Sequence, residues 1–132
     1  MANGHAALYP AGVRLFRVGV AVVAALAAPA VAVAARPTLT VAPPSVVRGH
    51  VIILSGSAPG CPLGDAVKLL SRAFVRTHVF AGVPAVYAPV RRGGAFVVRT
   101  RIPAARVPGR YAVTARCGGG NLGLLRHLAV RR

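Results

Sequence analysis

The sequence predicts an all-β fold, an antiparallel sandwich of about seven strands. Three observations carry that reading. Short apolar–polar alternations recur along residues 38–130. Pro and Gly clusters punctuate them at intervals of about 8–12 residues. No helical periodicity competes with them. Only ALYPAGVRLF near the start and LLSRAF in the middle suit a helix, and the second sits between strand-like flanks.

The elements follow in order. Thr38 to Ala42 alternates, with Leu39 and Val41 on one face, and Pro43-Pro44-Ser45 stops it. Val47 to Ser55 is a β-branched run that ends at Gly56. Ser57 to Asp65, SAPGCPLGD, is loop chemistry, with an Asp suited to an Asx turn. Ala66 to Phe74 sets Val67, Leu69 and Ser71 against Lys68, Leu70 and Arg72. Val79 to Val90 is apolar but broken by Gly82, Pro84 and Pro89, so it reads as one or two edge strands. After the Gly93-Gly94 turn, Phe96, Val98, Thr100 and Ile102 face one way, and Val97, Arg99 and Arg101 the other. Tyr111 to Cys117 sets Tyr111, Val113, Ala115 and Cys117 against Ala112, Thr114 and Arg116. Leu124 to Val130 is the last strand, with Leu128 and Val130 inward.

The chain of 132 residues has room for one domain behind a leader. Arg14 and Arg17 precede the apolar run Val18 to Ala35, and Ala32-Val33-Ala34 is an A-x-A cleavage pattern. These are the three parts of a secretory signal peptide. The expected organisation is a signal peptide over residues 1–35 and the β-domain over 36–132. An uncleaved anchor helix is the alternative, although Pro29 and the Ala-rich composition speak against a stable span.

Charge is the strongest compositional signal. Seventeen basic residues oppose one acid, for a formal charge of +16. Such an excess suits an anionic partner: a cell-envelope polymer or lipid headgroups. A GC-rich coding bias accounts for Arg over Lys, but not for the scarcity of Asp and Glu. Arg72, Arg99 and Arg101 form the candidate anion face. Lys68 is the only lysine.

The same scarcity excludes chemistry. Asp65 is the only acidic side chain, whereas most glycosidases use two carboxylates and Ca²⁺ sites several. No G-x-S-x-G elbow accompanies His50, His78 or His127, and no H-x-H, H-E-x-x-H or C-x-x-C pair marks a zinc site. No enzyme activity, metal or cofactor is expected. Specific nucleic-acid binding is not expected either, because exposed stacking aromatics are few: Tyr87 and Phe74 at most. Cys61 and Cys117 suit a disulfide in an exported protein; two free thiols or an intermolecular bridge are the alternatives.

The segments LTVAPPSVVRGHVIILSGSAPG and GGAFVVRTRIPAARVPGRYAVTARC, with a final LAV, carry L-x-V-x-P, G-x-F and P-G-x-Y-x-V-x-x-x-C. Together they resemble the Ig-like domains of secreted bacterial proteins. The resemblance covers nearly all of residues 38–130. It implies an Ig-like sandwich in which the strands at Ala66 and Tyr111 are antiparallel neighbours. Cys61 and Cys117 would then meet at one end and tie GCPLGD to CGGGNLG. Such domains serve as spacers, adhesion modules and binders, so a non-catalytic binding or structural role at the cell envelope is implied. Asp65, Arg116, Gly118, Gly120 and Asn121 make the candidate ligand loops. Tyr111, after Pro108-Gly109, is expected to bond nearby backbone through its hydroxyl, as in sandwich corners.

Gly118, Gly120 and Gly123 also match G-x-G-x-x-G. A dinucleotide site needs a helix next and an acid about 20 positions on. The residues after Gly123 contain no acid and read as one strand, so no nucleotide is expected. The glycines and Asn121 are expected to supply positive φ in a hairpin.

Overall fold

The computed structural model describes Gly4, Gly12, residues 19–30 and residues 35–132. Arg14, Arg17 and the Ala32–Ala34 pattern, on which the leader reading rests, lie outside the described residues. Residues 19–30 carry no helix or strand. No helix among the described residues is long and apolar enough to cross a membrane. The chain divides into two units, residues 1–32 and 33–132, and every element below belongs to the second.

That unit is all-β, in two sheets. In chain order the strands are β1 (Thr38–Ala42), β2 (Ser45–Val47), β3 (Val51–Ser57), β4 (Ala66–Leu70), β5 (His78–Phe80), β6 (Val83–Pro89), β7 (Ala95–Arg101), β8 (Gly109–Cys117) and β9 (Gly120–Arg131). A single 3-10 turn, Arg92–Gly94, precedes β7. The smaller sheet has the order β1-β3-β7 and the larger β2-β9-β8-β4-β6-β5.

The alternations place the core where the residues require it. Leu39, Val41, Ile52, Leu54 and Phe96 from the smaller sheet meet Val67, Leu69, Val113, Ala115, Leu128 and Val130 from the larger in one buried cluster. Phe74, from the loop after β4, is fully buried among them. LLSRAF is strand and turn, not helix. Ser71 is buried, and its Oγ accepts the Ala73 N–H at 3.2 Å.

Four expectations need correction. The described residues hold nine strands rather than about seven, because Val79 to Val90 divides into β5 and β6 and Val47 to Ser55 is not one run. Gly49, at φ +85°, turns the chain there and sends β2 and β3 into different sheets. The pairing is not wholly antiparallel: β2 runs parallel to β9, with Ser45 opposite Ala129. Of the two strands in Val79 to Val90, β5 is an edge strand and β6 is not, since it lies between β5 and β4. Its prolines are tolerated because Pro84 is the second residue of the strand and Pro89 the last. Finally, the last strand begins at Gly120 and not at Leu124. Cys117 pairs with Gly120, so the turn is Gly118-Gly119 alone and β9 begins at once.

Candidate functional site

Cys61 and Cys117 form a disulfide with Cα atoms 5.8 Å apart. The pairing of β4 with β8, Val67 opposite Cys117, brings the sulfurs together. Ligand atoms of Cys61, Asp65 and Cys117 lie within 4.8 Å of one another. With the sulfurs joined there is no thiolate for a metal to bind. The Asp65 carbonyl accepts the Val90 N–H at 2.9 Å, so the loop before β4 is anchored to the end of β6.

The candidate loops do not converge on one point. Asp65 lies beside the disulfide. Arg116 alternates to the other face of β8, the outer face of the larger sheet, and pairs across strands with Asn121. Its Nη2 donates to the Gly119 carbonyl at 2.8 Å. Of the hairpin residues, Gly118 and Gly123 have positive φ, whereas Gly120 and Asn121 do not. Gly123 serves a bulge instead: two extra residues of β9 fit between the Thr114–Leu125 and Arg116–Asn121 pairs. Asn121 Oδ1 accepts the Gly123 N–H at 2.8 Å and holds that bulge.

The candidate anion face is likewise divided. Arg99 and Arg101 are exposed on β7 of the smaller sheet, and Arg101 Nη1 donates to the Gly49 carbonyl at 2.6 Å. Arg72 follows β4 of the larger sheet. The cause is that β7 pairs with β3 and not with the β4–β8 ladder.

Arg72 has other company. Two adjoining cavities, of about 420 and 330 Å³, share Arg72 and Tyr111. The first is lined by the apolar Leu70, Val83 and Ala112 and by Arg110. The second adds Arg76 and Arg106. Arg106 ties the two loops that build this groove together. Its Nε donates to the Ala73 carbonyl at 3.2 Å and its Nη2 to the Phe74 carbonyl at 2.9 Å. Tyr111 donates its hydroxyl to the Val107 carbonyl, as its place after Pro108-Gly109 implies. Sequence reasoning missed Arg76, Arg106 and Arg110. The signal for Arg110 was present, since it alternates with Ala112, Thr114 and Arg116. The loop arginines carried none.

A second cluster occupies the same outer face. The Lys68 Nζ lies 5.0 Å from the Phe80 ring centroid and 5.8 Å from that of Tyr87. The Arg116 Cζ lies 4.9 Å from the Phe80 centroid. Tyr87 stacks on His78 at 4.6 Å and 12°.

The fold and these sites define an all-β domain with a basic outer sheet face. No family model matches the chain, and no curated protein matches it. Among solved structures it is similar to an alkylpurine DNA glycosylase of Pseudomonas fluorescens bound to DNA containing an abasic site analogue. The identity is 20% and the TM-score 0.51, over 72% of this chain and 29% of that one. The chain therefore spans under a third of the glycosylase's length, and the likeness is one of fold alone.

Proposed function

We propose that the protein is an exported, non-catalytic Ig-like β-sandwich module that holds an anionic polymer of the cell envelope on the outer face of its larger sheet. The observation that carries this reading is the groove in which Arg72, Arg76, Arg106 and Arg110 surround two adjoining cavities. Asp65, the only acidic side chain, is not among its lining residues, so the groove has no internal counter-charge from an acid. Arg106 is already committed to backbone carbonyls, which fixes the loops and leaves Arg72, Arg76 and Arg110 to meet an anion. A guanidinium fork suits carboxylate and phosphate oxygens alike. Export is supported by the positive flank, apolar run and A-x-A pattern of the leader.

The test is retention of the oxidised protein on an immobilised polyuronate. Binding is expected at low salt and should vanish by about 0.5 M salt, where screening is nearly complete within a few ångströms. Arg72→Gln with Arg110→Gln should weaken it by about tenfold or more. Salt-resistant retention, or retention untouched by the double substitution, rules the reading out. Stronger capture by phosphatidylglycerol vesicles than by polymer would move the ligand to a lipid surface.

A further inference from the structure

One transverse row of the larger sheet gathers polar groups from four adjacent strands. Lys68 on β4 pairs with Tyr87 on β6 and with Arg116 on β8. Arg116 in turn pairs with Asn121 on β9. At a strand spacing of about 4.8 Å the row spans about 14 Å.

Lys68 and Arg116 are like charges directly opposed across strands, an arrangement that destabilises a sheet. Asp65 cannot neutralise them, since it lies with the disulfide. What holds them together is Phe80, whose ring lies within 5.0 Å of both cations. A ring face attracts a cation through its quadrupole. The cations are thus positioned in advance, which lowers the ordering cost of binding. Arg116 is also short of acceptors: its Nε is buried and has no hydrogen-bond partner among the described residues. Asn121 Oδ1 is occupied by the Gly123 N–H, which leaves its amide N–H groups to donate.

We infer that this row is a subsite for a carboxylate-bearing sugar of an acidic glycan. The carboxylate takes its hydrogen bonds from Lys68 and Arg116, and the sugar hydroxyls meet Asn121 and the Tyr87 phenol. The inference rests on the reading of the protein as a polyanion binder and adds the ligand class and a second contact site. A glycan fits better than a nucleic acid. A single strand needs successive open rings on which bases stack, whereas Phe80 is half-buried under two cations and one face of Tyr87 is taken by His78.

The experiment is a fluorescence titration of the oxidised full chain with oligogalacturonate, and with polyphosphate and a single-stranded oligonucleotide of equal charge. Oligogalacturonate should bind at least about tenfold more tightly than either. Equal or tighter binding of the oligonucleotide or polyphosphate overturns the glycan assignment. Lys68→Gln with Arg116→Gln should cost about 30-fold or more in affinity. Arg99→Gln with Arg101→Gln, which removes the same charge from the other sheet, should cost under about threefold. Phe80→Leu keeps every charge but frees both cations, and should weaken binding several-fold in a protein that still folds, with a somewhat lower thermal midpoint. Equal losses from the two charge pairs, or wild-type affinity in a folded Phe80→Leu protein, overturn the row as a site. A wild-type protein that binds no polyanion at low salt sinks the proposed function itself. Binding that is lost with Arg72 and Arg110 but keeps full strength in the row variants sinks this inference alone.

Discussion

The Tyr111 hydroxyl donates to the carbonyl of Val107, four residues upstream, and so closes the corner that leads into β8. Tyr111 also packs against the core, so removing the hydroxyl alone isolates the hydrogen bond. Tyr111→Phe is expected to cost about 1 kcal/mol. In a domain of this size that lowers the thermal midpoint by about 4–8 °C. Differential scanning calorimetry checks it; a midpoint within about 1 °C of wild type would show that the corner contributes nothing.

The Cys61–Cys117 bond closes a loop with a sequence separation of 56. Chain entropy values such a closure at about 4 kcal/mol. Replacing both cysteines by Ala should lower the denaturation midpoint and steepen the transition, because the unfolded chain without the cross-link expands and exposes more surface. Amide exchange should also accelerate at Gly118 and Gly119, which the bond anchors to the loop before β4. A double variant as stable as the oxidised protein would remove the disulfide from the account of stability.

Gly56 sits opposite Leu39 and Phe96 in β3, the central strand of the smaller sheet. A Cβ there would overlap the Thr38 carbonyl and lie 2.9 Å from the Phe96 Cζ. Backbone cannot give way as a flexible side chain can, so Gly56→Ala should cost about 2–3 kcal/mol. Gly60→Ala is the control: nothing lies within 4 Å of its Cβ position, and a change under about 0.5 kcal/mol is expected. Urea titration of the pair decides it, and equal effects would refute the close-approach argument.

These cases show which levels the sequence exposes. Alternation is local, so the inward sides of Thr38–Ala42, Phe96–Ile102 and Tyr111–Cys117 could be read from residue types. The Tyr111 corner and the Cys61–Cys117 pair were legible for a related reason, since each depends on a short motif or on having only two cysteines. Lateral order is not local. Nothing in VVRGHVIILS announces that its first residues pair in parallel with the C-terminal strand. Nothing near Lys68 says that its neighbours across the sheet are Tyr87 and Arg116. The candidate anion face failed for this reason: Arg72 and Arg99 look alike in sequence, and strand pairing puts them on different sheets. The groove arginines on loops escaped because a loop has no period from which a side can be inferred.

Arg106 offers the sharpest test of how the groove is built. It is half-buried, and its two charge-assisted bonds to Ala73 and Phe74 hold the loop that carries Arg72 and Arg76. Such bonds are worth about 1.5–3 kcal/mol each when fully shielded. Partial exposure reduces that, so Arg106→Gln should cost about 1–2 kcal/mol in all. Arg106→Lys separates geometry from charge. An ammonium keeps the positive field but cannot present two N–H groups of a planar fork to neighbouring carbonyls. Most of the stability loss should therefore persist in the Lys variant, and polyuronate retention should fall with it as the loop releases Arg72. Chemical denaturation and retention, measured on both variants, check the two outcomes together. Full recovery of stability by Lys would mean that Arg106 acts through its charge alone and does not set the shape of the groove.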